Sequence, residues 1–398
     1  MSRATTTGST GRRLRVAGLF AGIGGIESGL HSSGHESVLL CELDPWANAV
    51  LERHFPECPK HDDIATLERL PEVDLVAAGF PCQDLSLAGT RAGLQGTRSG
   101  LVSEVFRLIK PNRPEFLLFE NVLNLLRLGR GTSIRWLLDN LEGHGYRWAY
   151  RVVDTRGFGL PQRRLRVIVL ASRGETDPGS VLFPRNLDPE FDDSIGPLEH
   201  GHTYGFYWTE GKRGVGWAKD AVPPIKGGSG LGIPSPPAIF DPVSGITGTP
   251  SIRDAERLQG FAPDWTEVRL DGAPIRPGAR WRMVGNAVSV PVAEWIGSEL
   301  AQPQPWETPS GVQKMRSDRP MPKGAFGSKK ARYEIPTSTH VEVSSHQPIK
   351  EFLAESLKPL STRALNGYLH RARSGHKKLP PEFLEALERQ AGNQAEAA

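Results

Sequence analysis

The stretch LRVAGLFAGIGGIESGL, residues 14–30, runs from an apolar strand pattern through a glycine-rich turn into a helical pattern. Glycines at such a turn let the backbone pass close to a ligand beneath a helix N-terminus. The alternation continues along the chain. Apolar runs recur at SVLLCE (37–42), VDLVAAG (73–79), EFLLFENV (115–122) and RLRVIVLAS (165–172), with helical patterns at 45–55, 99–110 and 132–145 between them. Strands that are apolar on both faces and separated by helices predict an α/β fold, a doubly wound and mostly parallel sheet. In such a sheet the functional loops lie at the carboxyl ends of the strands.

With 398 residues, of which 38% are hydrophobic and 23% charged, the chain can bury one large core with smaller modules beside it. No run of about 18 apolar residues predicts a membrane span. The polar start, MSRATTTGSTGRR, lacks the apolar stretch of a secretory signal, and residues 1–13 read as a flexible leader. Three cysteines, Cys41, Cys58 and Cys82, argue against a disulfide framework and for a reducing compartment. His54, Cys58 and His61 approach metal-ligand spacing, but a structural zinc site needs four ligands and no second pair completes this one. A surface loop is expected there, and no metal.

Residues 14–172 are therefore expected to form the α/β domain. From 173 to 247 glycine and proline crowd in, aromatics cluster at YGFYW (204–208), and helical periodicity stops, which predicts a separate loop-rich module. Residues 248–301 return to the core with SIRDAERLQGF and GNAVSVPVAEWIGSEL. A Pro/Ser/Lys-rich linker without order is expected over 302–346, followed by short, basic amphipathic helices over 347–398 as an appendage. The net charge of +3 permits a polyanionic partner without demanding one.

Four constellations carry chemistry. FAGIGG (20–25) has the spacing FxGxGG rather than GxGxxG, and Phe20 ahead of the glycines can face a cationic sulfonium. Glu42 stands at the second strand's end, placed to accept two ribose hydroxyls, and Asp63–Ile64 can bind and cover an adenine edge. GFPCQ (79–83) sets Cys82 where a buried strand stops. Pro81 fixes the backbone ahead of the thiol, so Cys82 is either a packing residue or a nucleophile held toward a substrate. Glu120 in ENV follows FLLF, where burial favours a protonated acid able to donate to a ring nitrogen. Arg164 and Arg166 in QRRLR lie two apart on one face, as a clamp for substrate or phosphate would require.

In this order the motifs FAGIGG, Glu42, Asp63–Ile64, GFPCQ, ENV, QRRLRV, RDAERLQGF and GNAV resemble the DNA (cytosine-5)-methyltransferases of prokaryotic or phage type, over residues 14–301. The resemblance implies an S-adenosylmethionine-dependent methyltransferase fold with 173–247 as the target recognition region. It implies S-adenosyl-L-methionine as methyl donor, held by Phe20, Gly22, Gly24, Glu42, Asp63 and Ile64, with Leu101, Asn286 and Val288 closing the pocket. Cys82 would be the nucleophile at carbon 6 of a flipped-out cytosine, Glu120 the acid at ring nitrogen 3, and Arg164 and Arg166 the clamp. The loop 86–98, with Arg91 and Arg98, would close over DNA. Lys212, Arg213, Lys219 and Lys226 would meet phosphates. Double-stranded DNA is the implied partner, met by a monomer in the cytoplasm of a bacterium or phage-infected cell. A cognate restriction endonuclease would belong to the same system without direct contact.

Three rivals leave their own marks. Relatives that act on transfer RNA carry a late Cys-Phe-Thr, and no cysteine follows Cys82. An amino-methyltransferase needs an aromatic after Pro-Pro, whereas SPPA (235–238) offers Ala238 outside the α/β core. A non-catalytic DNA-binding regulator would have no need of Cys82, Glu120 and Arg164 together.

Overall fold

In this computed structural model the described residues are 11–80, 100–188, 191, 194–210, 214–227, 235–342 and 345–396. The first strand, β1 (Arg15–Leu19), passes through the glycine turn into α1 (Gly25–Ser32). Next come β2 (Glu36–Cys41), α2 (Pro45–His54), β3 (Lys60–His61), β4 (Leu75–Ala78), α3 (Gly100–Asn112) and β5 (Phe116–Val122). These strands lie parallel in the order β5-β4-β1-β2-β3.

Burial explains the pattern. All four β4 residues are at most 1% exposed, and their side chains alternate between two cores. Val76 and Ala78 join Leu117 and Phe119 on the face covered by α3 and by α4 (Thr132–Gly143). Leu75 and Ala77 join Phe116 and Leu118 on the other face, with Leu30 of α1. That second face is closed by α7 (Val290–Ala301), the last helix of the returning segment. Gly29 makes the approach possible, since a Cβ there would sit 2.5 Å from the Glu294 backbone nitrogen. The returning segment also supplies α5 (Ile252–Leu258) and α6 (Pro277–Asn286), separated by the short hairpin of β12 (Arg269–Leu270) and β13 (Ala273–Pro274).

Two features depart from the expected sheet. The run 165–172 forms β7 (Leu165–Ser172), but it is antiparallel to β5 and to β6 (Arg147–Asp154). The antiparallel direction brings the start of β7 to the carboxyl end of β5, where Val122 pairs with Arg166. The expected disordered linker, 302–346, instead contains β14 (Gln313–Lys314), β15 (Gly324–Ser328) and β16 (Ala331–Glu334). These strands pair onto β6 and extend the sheet to ten strands. A few aromatics do what overall hydrophobicity would not: Phe326 packs with Trp306, Tyr333 and Phe183.

The region 173–247 supplies β8 (Tyr204–Phe206), β9 (Ala218–Lys219), β10 (Ala238–Asp241) and the start of β11 (Ile246–Thr249). A fifth strand, β17 (Lys358–Pro359), comes from the chain's end and completes the order β17-β11-β10-β8-β9. The expected helical appendage consists of α8 (Thr362–Arg373) and α9 (Pro381–Glu396). It does not hang free. Tyr368 and Phe383 are fully buried against Phe206 and Phe240, so the tail is built into this second module.

Candidate active site

A cavity of about 820 Å3 opens at the carboxyl ends of the parallel strands. Phe20 and Gly22 from the β1 turn, Glu42 after β2, Asp63 and Ile64 after β3, and Leu101 of α3 all face it. Glu120 near the end of β5, Arg164 and Arg166 around the start of β7, and Asn286 at the end of α6 also line it. Two further expected pocket residues adjoin residues of the lining. Gly24 caps α1 with φ 82°, and Val288 packs its side chain toward Gly79. Trp46, at the start of α2, lines the cavity and was not singled out from sequence. Its signal was an aromatic after Asp44-Pro45, where the Asp44 carboxylate accepts from Trp46 N–H and fixes the helix start.

The β1 turn is strained. Phe20 holds φ 56°, a conformation that costs a non-glycine residue about 1 kcal/mol or more. Gly22 also has φ 56°, and a Cβ added there would meet no protein atom within 4 Å. Its backbone is left open to the cavity. Glu42 supports this turn: Oε2 accepts from Gly22 N–H and Oε1 from Asp44 N–H, each at 2.8 Å. A carboxylate oxygen has a second lone pair, so both oxygens can still accept from a ligand diol. Open backbone, a diol acceptor and an indole together fit a nucleoside-bearing methyl donor.

Beneath the turn, Glu27 of α1 is 1% exposed, and burial pushes its carboxyl up to about 7 with a smaller push from Glu42. The neutral form is the one the fold accommodates. Its contribution to stability is present below the unfolded value of 4.5 and is lost as pH rises through about 7. The difference amounts to about 3 kcal/mol at the alkaline end. Glu27→Gln is therefore expected to exceed the wild type in urea stability at pH 8 and to converge with it near pH 4.5. An offset equal at both pH values would refute this reading.

Glu120, expected as a buried acid at the strand's end, stands beside a cation. Glu120 is ion-paired, with Arg166 Nε 2.8 Å from its Oε1, and both side chains are nearly buried. Asn121, next in the strand, donates from Nδ2 to the Phe80 carbonyl at 3.0 Å. It thereby fixes the last described residue before Pro81.

Arg164 and Arg166, expected as a clamp, both line the cavity. Arg164 is 2% exposed, and its guanidinium donates to the carbonyls of Ile225 (3.1 Å), Gly285 (3.1 Å) and Ala287 (2.7 Å). Two separate segments, at 225 and at 285–287, meet on it. Burial, with Arg166 nearby, lowers the pKa of Arg164. Its Nε finds no acceptor. The two arginines share a cavity wall but face different partners.

Cys82, Pro81 and the loop residues Arg91 and Arg98 lie outside the described residues, as do Lys212 and Arg213. Cys41 and Cys58 are packing residues: burial pushes their thiols up to about 12 and about 11. His54 stacks on Trp265 at 3.5 Å while His61 meets Thr66 Oγ1 at 2.9 Å, so these two rings turn to different neighbours. Lys219 and Lys226, expected at phosphates, are paired within the second module. Lys219 meets Glu199 at 2.6 Å, and Lys226 meets Glu210 and lies over the Tyr207 ring.

Among solved structures, the Dnmt2 methyltransferase of S. pombe matches with a TM-score of 0.54 at 18% identity, covering 72% of this chain and 98% of that one. The large, partly parallel sheet thus has a methyltransferase fold. A family model described as C-5 cytosine-specific DNA methylase matches residues 14–198. The chain is 51% identical over 383 residues to the Type II methyltransferase M2.BsuMI of Bacillus subtilis (strain 168), covering 94% of this chain and 98% of the relative. It is 30% identical to the Type II methyltransferase M.BsuFI of Bacillus subtilis, covering 73% of each. The chain belongs to the C-5 cytosine-specific DNA methylase family and is a DNA cytosine-5 methyltransferase. The family implies a methyl donor of the S-adenosylmethionine type. No helix among the described residues is long and apolar enough to cross a membrane.

Proposed function

We infer that this protein methylates carbon 5 of a flipped-out cytosine within a specific double-stranded sequence, through a covalent bond from Cys82 to carbon 6. The observation that carries this reading is the single cavity shared by the nucleoside-binding groups Phe20, Gly22, Glu42, Asp63 and Ile64 and the acid Glu120. When bound, S-adenosyl-L-methionine supplies an electrophilic methyl group to the activated carbon 5. Glu42 would hold its ribose hydroxyls, Trp46 and Ile64 would flank its adenine, and Leu101 and Asn286 would close the pocket.

The chain's own task is to make carbon 5 nucleophilic. Addition of the Cys82 thiolate to carbon 6 turns the ring into an enamine. Glu120, steered by Arg166, hydrogen-bonds or protonates ring nitrogen 3, so that negative charge does not accumulate on the ring. Arg164 acts one step removed by holding Ile225, Gly285 and Ala287 against the site. Loss of the carbon-5 proton to water and departure of Cys82 end the cycle. The target atoms are inaccessible in a duplex, so the base must leave the stack at a cost of a few kcal/mol.

Labelled methyl groups from S-adenosyl-L-methionine are expected in unmethylated DNA at carbon 5 of cytosine, and not in transfer RNA. Sequencing the methylated cytosines of an expressing strain would give the target. Label in transfer RNA but not in DNA would overturn the reading.

A further inference from the structure

The positive charge that faces DNA has to be found, because two of the cations expected there are already neutralised. Lys219 and Lys226 are held by Glu199 and Glu210 inside the second module. Lys377 and Lys378 stand elsewhere on this module. The turn between α8 and α9, Ser374-Gly375-His376-Lys377-Lys378, presents the exposed side chains of His376, Lys377 and Lys378 in succession. No carboxylate among the described residues lies within ion-pair distance of Lys377 or Lys378.

This turn is neither remote nor loose. With Arg163, it lines a cleft whose other walls are Ser194–Ile195 and Gly214–Trp217. Arg163 is adjacent in sequence to Arg164, which lines the active-site cavity. The turn is anchored on both sides. Leu379 and Pro380 behind it are buried, and Leu379 joins the aromatic core of Phe206, Trp217 and Phe383. Ahead of it, Arg371 Nε and Nη2 donate to the carbonyls of Glu210 and Trp208, each at 2.8 Å. The helix carrying the basic turn is therefore stapled to the segment leading out of β8. Two preorganised ammonium groups side by side suit a polyanion whose charges repeat along a line.

We propose that the α8–α9 turn is a phosphate-binding element of this enzyme, with Lys377 and Lys378 contacting the backbone of duplex DNA next to Arg163. The proposal rests on the reading of DNA as substrate and adds that the chain's end is part of the DNA-binding surface. Such contacts fix register without reading bases, so they act on all sequences alike.

The test is the salt dependence of binding to a mixed-sequence duplex by the full chain, wild type against the double variant K377A/K378A. Each phosphate contact contributes about 0.9 to the slope of log affinity against log salt, so losing two should flatten it by about 1.8. The advantage of the wild type should then narrow roughly tenfold between about 50 and about 200 mM salt. Both lysines are exposed, and a control variant, K329A/K330A at the exposed β15–β16 turn, removes equal charge elsewhere. The control is expected to keep the wild-type slope. An unchanged slope in K377A/K378A, or an equal change in the control, overturns the proposal. If the wild type still methylates DNA in that case, the assignment of function stands; a wild type that neither binds nor methylates DNA would remove both.

Discussion

Cys82→Ala is expected to abolish methyl transfer, with a loss on the order of 10⁴-fold or more, as removal of a covalent nucleophile does elsewhere. The size follows from the chemistry. Without addition at carbon 6 the ring has no enamine character, and neither cofactor binding nor base flipping can substitute for it. The variant should still bind S-adenosyl-L-methionine, because no group lining the donor side of the cavity is altered. Wild-type protein incubated with the methyl donor and DNA containing 5-fluorocytosine should form a complex that survives denaturation, since the fluorine cannot leave as a proton does. The alanine variant should not. A variant that retained full transfer would remove the covalent route and leave the family assignment untouched.

Glu120→Gln should give the second largest effect, a fall in kcat of about 10²- to 10⁴-fold, the usual range for a positioned acid. The amide preserves shape and can still hydrogen-bond, but it cannot pass a proton to ring nitrogen 3. Donor affinity should be unchanged, so the loss falls on kcat rather than on the Michaelis constant for S-adenosyl-L-methionine. The same change leaves Arg166 nearly buried without its carboxylate, a cost in stability of about 1–3 kcal/mol. Urea unfolding read beside the kinetics separates the two effects. If activity falls only as far as the folded fraction does, Glu120 is a structural ion pair and no more.

Much of the cavity was legible because short-range pattern suffices for it. A strand end followed by glycines puts Phe20 and Gly22 in the open, and strand ends do the same for Glu42 and Glu120. Arg164 and Arg166 show where that legibility stops. Their spacing predicts a shared face, and they do share a cavity wall, but spacing carries no information about what each meets. Arg164 is held by Ile225, Gly285 and Ala287, partners far along the chain, and only tertiary structure brings them together. The direction of β7 was hidden for a similar reason, since an apolar run reads the same in parallel and antiparallel pairing. The strands within 302–346 escaped because the segment is short of apolar residues overall, and a few aromatic contacts outweigh that average.

The intertwining of the chain's end with both sheets bears on how such an enzyme can acquire a new target sequence. After α7 the chain first adds β15 and β16 to the catalytic sheet and then adds β17, α8 and α9 to the second module. Residues 173–247 are thus not a cassette. Transplanted alone, they would arrive without their edge strand and with Phe206, Trp217 and Phe240 stripped of the helices that cover them, an exposed apolar face of the kind that drives aggregation. With 173–247 read as the target recognition region, inheritance of a new specificity would have to carry two distant stretches of sequence together, which ties the evolution of the second module to that of residues 358–396.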